Sequence, residues 1–403
     1  MFKLLYKNKN IKGSVLSFVA VMVLVLSIAG MALLRLGVNA RMQAHRATSE
    51  MAARAAADAG LVQIVHLLNK QLQTLQEWDI TSMSTTSDIY LPNCPASYQY
   101  KLNGDVDSGY QIASIGKSSQ IERVVYANLK LTGLFDYAIF VADNFELKMG
   151  TSINGYNFDD DDDPLKIATN STEIGALDMR TGVIVNGDVA VGPEANPDLV
   201  INSRLEANIT GDVYALPEEK ELPIITVPDS LALSPSKGAI TNNAIISADG
   251  KYDTINIANN SMVLIDGDVT LYIMGDIIID TFAQIKIDET NPNSSLTLYL
   301  GGNFQEKLGG HVNNATEDPK KLSIYGLETC EKIYFLTDCT FYGTIYAPNA
   351  TVMLHNSVII YGAIISESFI QNVKADFYYD ASLRDVSITD IGVTFKIVRW
   401  YEE

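Results

Sequence analysis

The sequence predicts a mainly β protein that begins with a long transmembrane α-helix, continues into a small antiparallel sheet and ends in a right-handed β-helix, a solenoid of short parallel strands. Three observations lead to this fold class. An uncharged apolar run near the N-terminus is long enough to cross a membrane. Helical periodicity continues beyond that run. The remaining chain alternates short apolar runs with Gly-Asp or Tyr-Gly pairs, which is typical of strands separated by turns.

These patterns divide the 403 residues into five segments. They are a basic leader (1–13), a transmembrane and stem helix (14–77), a small β region (78–133), a solenoid (134–385) and C-terminal cap strands (386–403). The net charge of −19 and the pI of about 4.6 argue against nucleic-acid binding, because that function needs a basic face. The composition instead suits a solvated surface protein.

The apolar run from Ser14 to Leu34 carries no charge. At about 1.5 Å per residue it forms roughly 30 Å of helix, the thickness of a bilayer core. The basic residues that precede it are Lys3, Lys7, Lys9 and Lys12. The positive-inside bias therefore predicts a single-pass inner-membrane protein with a cytoplasmic N-terminus and a periplasmic or extracellular C-terminal domain.

Three interpretations of this run are open. A secretory signal peptide usually has a shorter apolar region of about 7–15 residues and a small-residue cleavage site, whereas this run leads directly to Arg35. A plain single-pass anchor fits the length. A type IV prepilin signal also fits, in which a peptidase removes a short basic leader after a glycine and the apolar segment becomes the stem of a filament subunit.

Helical patterning continues beyond the apolar run. Apolar residues recur there at the spacing of one helix face, namely Leu61, Ile64, Val65, Leu68, Leu72 and Leu75. The alanine-rich run 52–59 permits another surface to approach closely. We therefore predict one helix over 14–77 whose outer half docks on the β region, although a stalk buried against its own chain would give the same pattern. Alternating runs after the polar linker 78–88 predict an antiparallel sheet that ends near 133.

The run KGSVLSFVAVMVLVLSIAGMALLRL, followed by SEMAARAAADAGL, resembles the N-terminal domain of PilX-type minor pilins. The resemblance implies that the β region is pilin-like, that Gly13 is the last leader residue and that Ser14 is the first mature residue. Major pilins have a glutamate at the fifth mature position and usually begin with phenylalanine, whereas this chain has Phe18 and Ser14 at those places. The missing glutamate points away from a bulk filament subunit.

The solenoid is predicted from repeated Tyr-Gly pairs at Tyr325-Gly326, Tyr342-Gly343 and Tyr361-Gly362. Their spacing is about the length of chain that a coil of three short strands needs, and a glycine at one place in each coil suits a bend or a close backbone approach. The proline-bearing segment 214–236 is predicted to be a linker or an excursion. Alternation within 386–403 predicts strands that cap the last coil.

The segments SSLTLYLGGNF, KLSIYG, FYGTIYAPNATVMLHNSVIIYGAIISESF and ADFYYDASLR resemble a bacterial β-helical domain of unknown function that often follows PilX-type N-termini. This resemblance implies an architecture and an export route. It does not imply an activity.

The candidates for chemistry are few. Five consecutive aspartates, Asp159, Asp160, Asp161, Asp162 and Asp163, could hold Ca²⁺, but they lack the alternation of a Ca²⁺ loop and also suit a solvated acidic loop. Gly-Asp pairs at Asp188, Asp212, Asp268 and Asp276 could line one face or serve as turn residues. Cys330 and Cys339 could pair across adjacent strands or remain two buried thiols, and Cys94 is left over.

The chain has no zinc spacing, Walker loop or dinucleotide fingerprint, so we predict no cofactor and no enzyme activity. The features together predict a minor-pilin-like surface protein, a structural or adhesive component of a type IV pilus-like system. The expected partners are the membrane, other pilin-like subunits that pack on the N-terminal helix, and surface glycans. Two alternatives are a membrane-anchored structural solenoid outside any pilus, and a β-helix enzyme that binds or degrades polysaccharide.

Overall fold

The computed structural model describes residues 14–74, 83–85, 87–105, 109–158, 163–336, 339–388 and 390–402. The chain forms two compact units. The first comprises the residues up to Lys130 together with those from Phe395 onward, and the second comprises Leu131–Thr394.

The first unit contains a single long helix, α1 (Ser14–Thr74), as the sequence predicts. Its two halves differ in burial. Every position from Val15 to Thr48 is exposed, whereas the side chains that are buried recur along one face of the outer half. These are Ser49, Ala53, Ala56, Ala57, Gly60, Leu61, Ile64, Leu68 and Leu72. The apolar inner half makes α1 long and apolar enough to span a membrane.

The sheet of the first unit packs on that outer half. It has the order β1 (Ile89–Tyr90), β2 (Ser97–Asp105), β3 (Gly109–Ser118), β4 (Ile121–Thr132) and β30 (Thr394–Glu402), and β1 to β4 pair antiparallel. A Cβ at Gly116 of β3 would overlap the backbone of Ala53 and Ala57. The alanine-rich run therefore does bring a second surface very close, as predicted from its small side chains.

The C-terminal strand corrects one prediction. β30 was expected to cap the solenoid, but it lies beside β4 in the sheet of the first unit. Phe395 is 3% exposed and packs edge-on against Tyr110, with ring centroids 5.3 Å apart. Its backbone N–H donates to Asn69 Oδ1 at 2.7 Å. Within β30 only Phe395 is buried, and it packs against Tyr110 of the sheet and bonds to Asn69 of α1.

The strands of the second unit are short and numerous. They are β5 (Ile139–Val141), β6 (Phe145–Leu147), β7 (Ser152–Tyr156), β8 (Lys166–Thr169), β9 (Leu177–Met179), β10 (Ile184–Val185), β11 (Asp188–Val191), β12 (Ile201–Ser203), β13 (Asn208–Ile209), β14 (Val213–Ala215), β15 (Ala244–Ile246), β16 (Gly250–Tyr252), β17 (Ile255–Ile257), β18 (Met262–Ile265), β19 (Asp268–Ile273), β20 (Ile277–Ile279), β21 (Gln284–Ile287), β22 (Ser295–Leu300), β23 (Phe304–Glu306), β24 (His311–Asn314), β25 (Leu322–Gly326), β26 (Lys332–Phe335), β27 (Thr340–Leu354), β28 (Ile359–Gln371) and β29 (Asp376–Asp380). Two short helices, α2 (Pro197–Val200) and α3 (Asp229–Ala232), and two 3₁₀ turns, Pro319–Lys321 and Ala381–Arg384, complete it.

These strands form parallel ladders in which a strand usually pairs with the one three places later. The first ladder is β14, β11, β8, β5, β28, β27, β25, β22, β19 and β16. The second is β12, β9, β6, β28, β27, β26, β23, β20 and β17. The third is β13, β10, β7, β29, β28 and β27. A separate four-stranded sheet is β24, β21, β18 and β15.

The chain does not follow the ladders from one end to the other. Strands β5 to β14 fill one end, and β15 to β29 fill the other. The two sets meet where β28 pairs with β5 and β6, and where β29 pairs with β7. Residues 216–233, here called the return segment, connect the two ends. The predicted excursion therefore has a structural role, because it carries the chain back along the unit.

The core of the second unit lies between the ladders. It consists mainly of valine, leucine, isoleucine and phenylalanine side chains from alternate strand positions, most of them fully buried. A second buried cluster lies on the opposite face of the first ladder, beneath the return segment. A mainly β fold with one long N-terminal helix and a large parallel sheet is confirmed.

The Tyr-Gly repeat is only partly the repeat that the sequence suggests. Gly343 and Gly362 are direct register partners in the third ladder. A Cβ at Gly362, where φ is +152°, would overlap the carbonyl oxygen of Gly343, so this close approach does require glycine. Gly326 instead lies in the first ladder opposite Leu300. Placing all three glycines at one point of the coil was therefore wrong.

Candidate functional site

Three tyrosines form an outward-facing column on the third ladder. Tyr342, Tyr361 and Tyr378 are successive register partners on β27, β28 and β29. The ring centroids of Tyr342 and Tyr361 are 4.6 Å apart and the planes differ by 10°, and the next pair has values of 4.8 Å and 13°. Tyr156 packs edge-on against Tyr361 at 5.2 Å. We call the three stacked rings the outward column.

The strand register explains the column. In-register parallel strands place identical side chains directly above one another at the strand spacing of about 4.8 Å. The outward position is fixed by alternation, because the neighbours Phe341, Ile360 and Phe377 point into the core and are at most 1% exposed. Each phenol is half-buried by the rings beside it.

A row of polar side chains continues the outward column along the same ladder. Asp376, the first residue of β29, accepts a hydrogen bond from Ser152 Oγ at 2.6 Å. Asn154 donates to the same hydroxyl at 2.9 Å and accepts from Asn186 Nδ2 at 2.6 Å. This face of the unit therefore presents planar amide and phenol groups in one line.

A cavity of about 280 Å³ lies at the other end of the outward column. The residues that line it are His311, Asn313, Asn314, Ala315, Glu317, Cys339, Thr340 and Tyr342. It lies where the order of strands breaks, because β24 is the last strand of the four-stranded sheet and has no ladder pairing with β27 among the described strands. The Asn314 side chain bridges the break by donating to the carbonyl oxygens of Tyr342 (3.0 Å) and Asp318 (2.8 Å).

The phenols beside the cavity are neutral donors. Burial, together with the negative charge of Glu317 nearby, raises the pKa of Tyr342. Burial and the neighbouring Tyr378 raise the pKa of Tyr361. Both hydroxyls therefore retain their protons well above neutral pH, and each can donate a hydrogen bond to a ligand.

A buried carboxyl group lies close to the cavity. Glu306 is 1% exposed, accepts the backbone N–H of Val312 at 3.0 Å and has a further side-chain hydrogen bond with Cys339. Burial raises the pKa of Glu306 to about 8, against the lowering effect of these two hydrogen bonds. Since Cys339 lines the cavity, the cavity wall is coupled to a group that titrates near neutral pH.

A second set of tyrosines is hidden. Tyr299, Tyr325 and Tyr346 are register neighbours in the first ladder and are at most 6% exposed. The return segment covers them, and Tyr346 donates its phenolic hydrogen to Pro223 O at 2.6 Å. The Asn170 side chain holds the segment by bonding both the N–H and the carbonyl of Lys220, at 3.0 and 2.9 Å. We call these three rings the covered column.

The predicted processing and acidic sites fall mostly outside the described residues. Gly13 and Asp159–Asp162 lie outside them, and Ser14 is the first residue of α1. Asp163 is described, and its carboxylate lies 3.8 Å from Lys166 Nζ. Within the described ranges, no group of three or more His, Cys, Asp or Glu side chains is arranged to hold a metal ion.

Of the two alternatives for Cys330 and Cys339, the structure has two free thiols. Both thiols are buried and both belong to the core cluster, but their neighbours differ. Cys330 lies in the core cluster, where burial raises its pKa to about 12. The Cys339 thiol instead donates to Leu336 O at 3.5 Å and bonds to Glu306.

The Gly-Asp pairs act within the ladders. Asp188 Oδ1 accepts the backbone N–H of Asp212 at 2.9 Å, and Asp276 Oδ1 accepts that of Asn303 at 2.8 Å. Asp268 accepts the hydroxyl of Ser295. Asp188, Asp212 and Asp268 lie at the starts of strands in the first ladder, whereas Asp276 precedes a strand of the second. The four carboxylates therefore do not line one face, and those with partners stabilise the turns.

Sequence reasoning missed the cavity and the outward column. The signal for the column was present in the Tyr-Gly repeat, but the repeat was interpreted only through its glycines. The cavity has no comparable signal, because it arises from the missing pairing between β24 and β27.

Residues 229–386 match the family model described as a domain of unknown function (DUF7305). No curated protein matches the chain. Among solved structures, the chain is similar to the competence-associated pilin ComZ from Thermus thermophilus, with 11% identity, a TM-score of 0.34, and coverage of 88% of this chain and 98% of ComZ. It is also similar to an ice-binding protein from the Antarctic ascomycete Antarctomyces psychrotrophicus, with 12% identity, a TM-score of 0.21, and coverage of 61% and 97%.

Proposed function

We propose that this is a minor-pilin-like surface protein whose N-terminal helix is held in a membrane or in a pilus-like filament. The observation that carries the proposal is the division of α1 into two halves. Residues 15–48 are exposed and mostly apolar, and residues 49–72 bury one face on an antiparallel sheet. The apolar face of the outer half of α1 is already buried on the sheet. The inner half exposes leucine, valine and methionine side chains, so it requires lipid or other helices around it.

The partners of the inner half follow from its surface. Side chains such as Leu16, Phe18 and Leu26 are 81%, 66% and 66% exposed, and they favour a lipid environment or the apolar helices of other pilin-like subunits. The lysines before Ser14 place the N-terminus on the cytoplasmic side in this proposal, so that the chain after the inner half of α1 lies beyond the membrane. No catalytic step is part of the proposed function.

The proposal includes a solenoid in the second unit. Strands that pair three places apart in three parallel ladders are the expected product of coils with three strands each. Parallel crossover connections are almost always right-handed, which supports a right-handed coil. Such a rigid rod, displayed outside the cytoplasm, suits a role in pilus structure or in adhesion.

The test is the N-terminus of the mature protein, mapped on chain recovered from membranes of cells with and without a prepilin peptidase. The proposal predicts a mature chain that begins at Ser14 only when the peptidase is present. Gly13→Leu should abolish this processing. Gly30→Leu is a matched control, because a side chain at Gly30 of α1 meets open space.

An intact Met1 under both conditions would overturn the pilin assignment. It would leave the plain membrane anchor, which the exposed inner half of α1 supports equally. Processing that occurs elsewhere in the apolar run would instead indicate a signal peptide, and the protein would then be released from the membrane.

A further inference from the structure

We propose that the cavity at the end of the outward column binds one neutral pyranose ring of a polysaccharide, with the face of Tyr342 as its platform. Tyr342 is the terminal ring of the column. One of its faces is covered by Tyr361 at 4.6 Å, and the residue also lines the cavity. The face opposite Tyr361 is therefore the one available to a ligand.

The size of the cavity suits a single sugar ring. At about 280 Å³ it lies just below the roughly 300–1,000 Å³ of clefts that enclose a drug-sized ligand, and it has room for several waters at about 30 Å³ each. The C–H face of a pyranose is apolar and packs on an aromatic face, while its hydroxyls need directional partners. A site for such a ring therefore needs one aromatic plane and several polar groups, which this cavity has.

The polar groups surround the platform. His311 and Asn313 occupy outward positions of β24, and Thr340 precedes Tyr342 by one outward position on β27. Asn313 Nδ2 donates to Gln284 Oε1 at 3.2 Å, which fixes the plane of its amide. An amide, an imidazole and hydroxyls can donate to and accept from sugar hydroxyls.

The charge of the cavity disfavours an anionic ring. Glu317 contributes a carboxylate, and the described lining residues include no lysine or arginine. A uronic acid or a sulfated sugar would therefore meet repulsion with no compensating cation. Tyr361 also prepares the platform, because it stacks on Tyr342 and holds that ring in place before a ligand arrives, which lowers the entropy lost on binding.

The experiment measures dissociation constants of the full chain in detergent for a defined panel of oligosaccharides. The neutral probes are oligomers of glucose, galactose, mannose and N-acetylglucosamine, and the anionic probe is oligogalacturonate. We expect saturable binding of at least one neutral probe and weaker binding of oligogalacturonate. Tyr342→Ala should weaken neutral binding about tenfold or more, whereas Tyr342→Phe, which keeps the ring, should stay within about threefold.

The matched control is Tyr378→Ala, which removes a ring of the same column that does not line the cavity. It should leave the affinity within about threefold. Should Tyr342→Ala fail to fold, Asn313→Ala is the second variant, and we expect it to weaken binding of the neutral probe by about threefold or more.

Three outcomes would overturn the proposal. They are an absence of saturable binding to every neutral probe, tighter binding of oligogalacturonate, and equal losses for Tyr342→Ala and Tyr378→Ala. None of them depends on how the N-terminus is processed, so this test and the test of the proposed function fail independently.

Discussion

The outward and covered columns have the same backbone geometry and opposite surroundings. Both stack tyrosines across successive parallel strands, and Tyr346 of the covered column and Tyr342 of the outward column lie on the same strand, β27. The covered rings lie beneath the return segment, with Tyr346 fully buried. The outward rings are half-buried, and their last member lines a cavity.

The difference teaches that stacking alone does not assign a role to a tyrosine in a parallel ladder. The role depends on whether the return segment covers the ring. Where 216–233 crosses the sheet, tyrosine becomes a core residue whose hydroxyl must find a buried acceptor, as Tyr346 does at Pro223. Where no segment crosses, the same residue remains available to a ligand. Four comparisons test this difference between the two columns.

The largest contrast is expected between Tyr346→Ala and Tyr342→Ala. Tyr346→Ala leaves a large void beneath the return segment and removes the bond to Pro223, so it should lower the free energy of unfolding by about 4 kcal/mol. Tyr342→Ala removes a half-buried ring from a surface stack and should cost about 1 kcal/mol. Denaturant unfolding of both variants measures the difference. Equal costs would mean that the two columns are both structural.

The next effect concerns the glycines beside the rings. Gly362→Ala should cost about 3 kcal/mol, because the new Cβ meets the Gly343 carbonyl oxygen between two paired strands and cannot rotate away. The control is Gly182→Ala, where φ is also positive, at +72°, but a Cβ meets open space. Thermal midpoints compare the two. A smaller decrease in the thermal midpoint for Gly362→Ala would show that the two strands can separate locally without a loss of stability.

The third contrast is pH dependence. Glu306 has a folded-state pKa of about 8, above its ordinary value of 4.5, so the unfolded chain releases this proton first as pH rises. The stability contributed by protonated Glu306 is therefore complete below pH 4.5 and is lost by pH 8. Between these values the free energy of unfolding should fall by about 1.4 kcal/mol per pH unit relative to that of Glu306→Gln. Burial raises the pKa of Tyr346 above its ordinary value of 10, so the covered column should respond only under alkaline conditions.

Unfolding of the wild-type chain and Glu306→Gln at several values between pH 5 and 8 checks this expectation. Glu317→Gln serves as the control, because it changes an exposed carboxylate at the same cavity and keeps Glu306. A wild-type curve parallel to that of Glu306→Gln would contradict the expectation.

The smallest effect is that of single hydroxyls. Tyr346→Phe leaves the Pro223 carbonyl without its donor and should cost about 1 kcal/mol. Tyr378→Phe, in the outward column, should change stability by less than about 0.5 kcal/mol. The two variants differ from the wild-type chain by one oxygen each, so the difference between their free energies of unfolding isolates the effect of the return segment.

Local patterns in the sequence predicted the elements but not their partners. The apolar run, the helical spacing of Leu61 and Leu68, and the small side chains near Ala53 identify α1 and the face that it buries, because these properties depend on residues within one helix. The alternation around Phe395 was also recognised, but its partner, Asn69 on α1, is far away in sequence. Period-two alternation reports that one face is buried and does not report against what.

The same dependence on partners distant in sequence explains why the outward column was not predicted. The repeated Tyr-Gly pairs indicated stacked strands, yet Tyr325 pairs with Tyr346 in one ladder and Tyr342 with Tyr361 in another. Only the register separates the two columns, and register depends on turn lengths and bulges such as the shift between Ala347 and Thr351. Likewise, Cys330 and Cys339 are close in sequence, but they do not meet across the strands between them.

The meeting of β28 with β5 has a consequence for folding during synthesis. Strands β5, β6 and β7 are made early, but their partners in β28 and β29 are among the last strands to be made. Until then, these edges have unpaired backbone groups that invite wrong pairing. Contacts so distant in sequence also slow folding. Completion of the middle of the second unit should therefore coincide with the end of synthesis, and truncation before β28 would leave two incomplete sets of strands open to aggregation or proteolysis.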